Sequence, residues 1–172
     1  MRLFMAGESG ATLALGAALI VGAAALAQAP ADSPPDRSQD MAWVSAQQSA
    51  LAERAAQPGW RQLDGGVLMR RTAGDGSGAR PTVQDVVSVH YTGSFVEGGV
   101  FDTSEGGDPA TFPLGRLIPA WQTAIPEMGV GDTIEIAAPA TAAYGLKGKG
   151  PIPGGATLLF TVRLIDIGER AD

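Results

Sequence analysis

The 172-residue chain is 45% hydrophobic and 17% charged, with a formal net charge of −6, no cysteine and a single histidine, His90. That leaves no basic face for nucleic acid, no disulfide, no thiolate nucleophile and no Cys/His zinc set, and it allows a Ser-His-Asp arrangement only with His90 as base. The 24 glycines and 12 prolines predict frequent turns and little long helix outside the N-terminal part.

Arg2 gives the chain a positive start, and an apolar stretch runs from Ala11 to Ala27, closing on Ala25-Leu26-Ala27. Residues 1–27 therefore read as a secretory signal peptide cleaved after Ala27. The alternative is an uncleaved membrane anchor, since about 17 apolar residues is the lower limit for a span. Residues 28–37 form a polar, proline-broken linker. Residues 38–58 have helical character: Ser38 suits the N-cap, Met41, Val44, Gln48 and Leu51 share one face with Trp43 beside it, and Pro58-Gly59 ends the segment. Such a stripe must be buried, either on the chain's own domain or against a second copy in a homodimer.

From Trp60 the texture changes, and residues 60–170 read as one domain of short strands and turns. Strands are predicted at Val67–Arg71, Asp85–Phe95, Val100–Thr103, Asp132–Ala138 and Thr157–Ile167, with a flexible turn over 72–78 and a hairpin turn at Glu97-Gly98-Gly99. Strict alternation sets Val87, Val89 and Tyr91 on one face and Val86, Ser88 and His90 on the other. Ile134 and Ile136 share an inner face, as do Leu158, Phe160, Val162 and Leu164. A short helix is expected over Pro119–Ile125: proline suits its first turn, Trp121 and Ile125 share a face, and Pro126 and Gly129 stop it. The class is α+β: an antiparallel sheet with one short helix, preceded by an N-terminal helical extension.

Four segments concentrate aromatic and small residues: Val89-His90-Tyr91-Thr92-Gly93, Val100-Phe101-Asp102-Thr103-Ser104, Leu117-Ile118-Pro119-Ala120-Trp121 and Ala143-Tyr144-Gly145. They are followed by Gly150-Pro151-Ile152-Pro153 and Ala156-Thr157-Leu158-Leu159-Phe160. In order and spacing, from about Trp60 to Ile167, this set resembles the FKBP-type peptidyl-prolyl cis/trans isomerases. Pro109-Ala110-Thr111-Phe112, Ile118-Pro119-Ala120-Trp121 and Pro139 make it most similar to the exported bacterial branch that includes the macrophage infectivity potentiator. The resemblance implies a five-stranded antiparallel sheet wrapped around one short helix. It also implies an isomerase acting on proline-containing polypeptides in the periplasm or outside the cell, or facing the periplasm if anchored. No cofactor and no metal are implied, and macrolide inhibitors of the immunophilin type become candidate ligands.

By matched position, the resemblance makes Trp121 the pocket floor and Tyr91, Phe101 and Phe160 its walls, with Leu117, Ile118 and Ile152 at the sides. The backbone N–H of Ile118 would hold a substrate carbonyl, the Tyr144 hydroxyl would give a second hydrogen bond, and Asp102 would set the polarity of the rim. The chain departs from the pattern in three places, one of them the loop Leu146-Lys147-Gly148-Lys149-Gly150, which has no histidine and is slightly short. The loop Glu105-Gly106-Gly107-Asp108 lacks the arginine that often pairs with the pocket aspartate, so Asp102 must draw on other donors. Ala110 stands where a pocket phenylalanine is common, which should open one side.

Read without the resemblance, Trp121, Phe101 and Phe160 are equally what a packed core uses, Asp102 is a turn residue and Tyr144 a structural corner. His90 should point away from the ring cluster, and Lys147 and Lys149 lack the spacing of a phosphate-binding loop. A proline-peptide-binding chaperone module of the same fold, with little turnover, is the competing function.

Overall fold

In the computed structural model, Arg37 and residues 39–168 are described. The signal-peptide segment, nearly all of the linker, and Ser38 lie outside the described residues.

Helix α1 spans Met41–Ala55, and Asp40 rather than Ser38 caps it, its carboxylate accepting from the Trp43 N–H at 3.1 Å. The face it buries is also not the expected one. Trp43, Gln47 and Ala50 are the buried positions, whereas Met41 is 79% exposed. The stripe is shifted because the helix is held by polar groups: Trp43 Nε1 and Gln47 Nε2 both donate to Glu97 at 3.0 Å, and Gln47 Oε1 accepts from the Thr157 N–H at 2.9 Å. Hydropathy spacing is blind to such anchors.

The strands are β1 (Arg61–Gln62), β2 (Leu68–Ala73), β3 (Val86–Phe95), β4 (Val100–Thr103), β5 (Ala110–Pro113), β6 (Thr133–Ala138) and β7 (Leu158–Gly168). They form one antiparallel sheet in the order β1-β2-β6-β7-β3-β4, with β5 also on β3. The strand number is seven rather than five, for two local reasons. A two-residue β1 is added outside β2, and one edge of β3 is covered by two pieces, β4 and β5, because the chain between Thr103 and Ala110 leaves the ladder.

The alternation along β3, β6 and β7 is as the sequence spacing requires. Val87, Val89, Tyr91, Ile134, Ile136, Leu158, Phe160, Val162 and Leu164 are buried, while Thr161 and Arg163 are exposed. Helix α2 (Pro119–Ala124) starts with proline in its first turn and runs into a 3-10 turn, Ile125–Glu127, so Pro126 tightens the end of the helix rather than stopping it outright. Its Ala120, Trp121 and Ala124 are buried in one cluster with the inward side chains of β3, β6 and β7.

The 72–78 segment is tied down rather than loose. Asp132, 3% exposed, accepts from Gly76 N (3.2 Å), Gly129 N (2.9 Å) and Arg71 Nε (3.1 Å). A Cβ at Gly74, where φ is +85°, would come within 1.8 Å of the Asp132 carboxylate, so glycine lets the turn close on its acceptor.

Candidate active site

Four elements bring an aromatic cluster together at one end of the inner face. Trp121, fully buried, is presented by the first turn of α2. Tyr91 from β3 meets it edge-on at 5.4 Å between ring centroids and 80°, and Phe160 from β7 does so at 5.5 Å and 88°. Phe101 from β4 continues the series, edge-on to Phe160 at 5.9 Å and 90°. These are the tilted and perpendicular geometries that ring quadrupoles favour.

Gly93 makes the approach of Phe101 to Phe160 feasible. A Cβ there would lie 2.6 Å from Phe101 Cζ and 3.0 Å from Phe160 Cε1, so both rings rest on bare backbone. The Thr103-Ser104 pair explains why β4 stays in place across a register shift at Gly93/Ser94. Thr103 Oγ1 donates to the Tyr91 carbonyl at 3.0 Å, while the Tyr91 N–H donates to Ser104 Oγ at 2.9 Å.

Leu117, Ile118 and Ile152 are all buried beside the rings. Ile118 is the N-cap of α2, in extended conformation at φ −61° and ψ 149°; N–H groups at a helix start have no acceptor within the helix. Ile152 arrives on the loop between β6 and β7, which is closed by Gly155 N to Gly145 O (2.9 Å) and by the paired bonds of Lys149 and Ile152.

The cluster reaches solvent through Phe101, Asp102 and Tyr144, which are half-buried. Asp102 accepts from the Tyr91 hydroxyl at 2.8 Å; this is a donor supplied in place of the missing loop arginine. Burial, and then the nearby Asp102 charge, push the Tyr144 hydroxyl up to about 12. It therefore stays protonated, and a hydrogen-bond donor, through the neutral range. Lys149 lies over the Tyr144 ring at 5.8 Å.

The nine residues singled out from sequence thus fall in one region. Sequence reasoning missed Phe112, whose ring lies 6.1 Å from Tyr91 and 6.4 Å from Trp121, and Phe95, 5.1 Å from Phe101. Period-2 reading of Ala110-Thr111-Phe112 as a strand would have found the first. Ala110 is itself buried, so the side expected to be open is closed to solvent there. His90 does point away from the rings, on the outer face of β3, where its Nδ1 is buried without a hydrogen-bond partner. A separate cleft of about 340 Å³ on the outer side of the sheet is lined by charged groups, among them Arg54, Arg70 and Glu135. Arg70 donates to Glu135 there at 2.8 Å, which makes the cleft unlike the largely apolar ring cluster.

A wrapped antiparallel sheet with an aromatic cluster at the start of its short helix defines a class. The family model described as FKBP-type peptidyl-prolyl cis-trans isomerase matches residues 78–165, and the chain belongs to that family. It falls in the bacterial branch of FkpA and Mip. It is 40% identical over 122 residues to the FKBP-type peptidyl-prolyl cis-trans isomerase FkpA of Aeromonas hydrophila, covering 70% of this chain and 45% of that one. It is 39% identical over 123 residues to the outer membrane protein MIP of Legionella longbeachae, covering 70% and 52%. A solved peptidyl-prolyl cis-trans isomerase of Pseudomonas syringae pv. tomato superposes with a TM-score of 0.69 at 31% identity, covering 74% of this chain and 95% of that one. The chain spans about half the length of these two curated relatives.

Proposed function

We propose that the chain is a peptidyl-prolyl cis/trans isomerase that accelerates rotation about X-Pro bonds without covalent chemistry. The observation that carries the reading is the edge-to-face ring cluster of Tyr91, Trp121 and Phe160 at the N-terminus of α2, in a chain of this family.

Uncatalysed rotation takes tens of seconds over a barrier of about 20 kcal/mol. No bond to carbon breaks, so no nucleophile or general base is needed. The half-rotated imide has lost resonance and is less polar than the planar one. A water-poor ring surface therefore destabilises the planar form relative to the twisted form, and catalysis is differential binding. Each tenfold gain needs about 1.4 kcal/mol, which a few ring contacts and one or two hydrogen bonds can supply.

In this reading proline sits over Trp121 between Tyr91, Phe101 and Phe160, with Leu117, Ile118 and Ile152 at the sides. The Ile118 N–H holds a substrate carbonyl and the Tyr144 hydroxyl holds another acceptor at the rim. Asp102, fixed by Tyr91, keeps that rim polar. An immunophilin-type macrolide would occupy the same place and change Trp121 fluorescence.

Export to the periplasm or beyond is supported by the apolar run 11–27. No helix among the described residues is long and apolar enough to cross a membrane. A homodimer through α1 would have to use Met41 and Leu51, since Trp43, Gln47 and Ala50 are buried and Val44 packs against the chain's own core.

The test is a protease-coupled or NMR exchange assay on an Ala-Leu-Pro-Phe-type peptide. Acceleration that a macrolide abolishes supports the reading. Peptide binding without acceleration would replace it with the chaperone-module reading.

A further inference from the structure

Two segments that carry ring-cluster residues leave the sheet at the same place, where β3 and β7 end with Phe95 paired to Leu158. One is the turn from Phe95 to Gly99, closed by Phe95 N to Gly99 O at 3.0 Å and Gly98 N to Phe95 O at 3.1 Å. It carries the Phe95 ring, which lies against Phe101, and leads directly into β4. The other is the loop that brings Tyr144 and Ile152 and ends at Thr157.

Thr157 is 2% exposed, yet the β6–β7 ladder stops one residue later at the Ala138–Leu158 pair. Its N–H therefore needs an acceptor from outside the sheet. Gln47 of α1 provides it. The Gln47 side chain, 4% exposed, accepts from Thr157 N at 2.9 Å and donates from Nε2 to Glu97 Oε1 at 3.0 Å. Trp43 Nε1 donates to the same oxygen at 3.0 Å, and Thr157 Oγ1 donates to the Gln47 carbonyl at 3.5 Å. One glutamine, lying 50 residues before Glu97 and 110 before Thr157, thus bridges the two segments.

We propose that Gln47 is a positioning residue of the isomerase pocket: with Trp43 and Glu97 it clamps the β3–β4 turn to the entry of β7. The N-terminal helix thereby fixes Phe101 and the Tyr144–Ile152 loop relative to Trp121. The proposal rests on the pocket placed in the preceding subsection. The clamp is a side-chain network with buried members, so it has one satisfied arrangement and resists slow drift.

The test uses the full chain with Gln47→Leu, Glu97→Ala and Glu97→Gln. Glu97→Gln keeps an oxygen that accepts from both Trp43 and Gln47. Under conditions where circular dichroism shows each variant folded, Gln47→Leu and Glu97→Ala should lower kcat/KM about three- to tenfold, mainly through KM, and Glu97→Gln should restore it. The Ile152 methyl and Phe101 ring NMR signals should move in the first two variants and stay in the third. Stability loss with unchanged kcat/KM and unmoved signals would reduce Gln47 to a fold staple and overturn the proposal. The NMR arm needs no turnover: a wild-type protein inactive on X-Pro peptides would count against the proposed activity, while unmoved signals would count against the clamp.

Discussion

Gly93→Ala tests whether the two outer rings of the cluster do the work assigned to them. The added Cβ would stand 2.6 and 2.8 Å from Phe101 Cζ and Cε2, and 3.0 Å from Phe160 Cε1. Carbon atoms prefer about 3.5–4.0 Å, so Phe101 must retreat by roughly 1 Å. Phe101 is half-buried and can swing outward, whereas Phe160 is buried against Trp121 and has little room. Overpacking of this kind costs about 1–3 kcal/mol of stability. The loss in kcat/KM should be larger in proportion, about 10- to 100-fold, because a misplacement of about 1 Å at a reacting group has that effect. Urea denaturation and the X-Pro peptide assay, run on the same preparation, measure both. Wild-type kcat/KM in a variant that has lost stability would show that the contact of Phe101 with Phe160 does not position the substrate.

Tyr91→Phe removes the hydroxyl that donates to Asp102. It should lower kcat/KM by about tenfold while leaving the ring contacts in place, and Asp102→Ala should match it rather than add to it in a double variant. Tyr144→Phe should reduce turnover with the fold unchanged by circular dichroism. Because burial raises the folded-state Tyr144 hydroxyl from 10.0 to about 12, its contribution to stability is fully present below pH 10 and fades between about pH 10 and 12, where the unfolded chain ionises first. Urea midpoints of wild type should therefore fall relative to Tyr144→Phe across that window and not below it. Asp132→Ala leaves two backbone N–H groups and Arg71 Nε without their acceptor, while Arg71 Nη2 keeps the Glu127 carbonyl. It should destabilise the domain by about 3 kcal/mol, with pulsed proteolysis cutting first in the 74–80 segment.

The inner face of the sheet was legible because period-2 alternation in β3, β6 and β7 is a direct image of burial. The ring cluster was legible only through the motif set, since spacing alone puts Tyr91, Phe101, Trp121 and Phe160 in a core as readily as in a pocket. Strand β1 is not legible because a two-residue pairing is too short to show a period, and β5 offers a single apolar-polar-apolar step, Ala110-Thr111-Phe112, that marks Phe112 only once the run is read as a strand. The orientation of α1 was misread because its burial is set by Trp43 and Gln47 reaching partners 50 to 110 residues away, information that local hydropathy does not contain. For the same reason the sequence could say that Asp102 needed a donor, but not that Tyr91 would supply it.

The two margins of the sheet have a consequence for life among unfolded chains. One margin is the two-residue β1 with the four residues of β2 beyond it, Arg70–Ala73, and the other is cut into the four-residue pieces β4 and β5 by the excursion through Glu105 to Pro109. A stray extended segment seeking to add itself needs a long uninterrupted row of backbone donors and acceptors. Neither border offers one, so under the proposed function a polypeptide held at the rings would find no long adjacent template on which to grow into an aggregate.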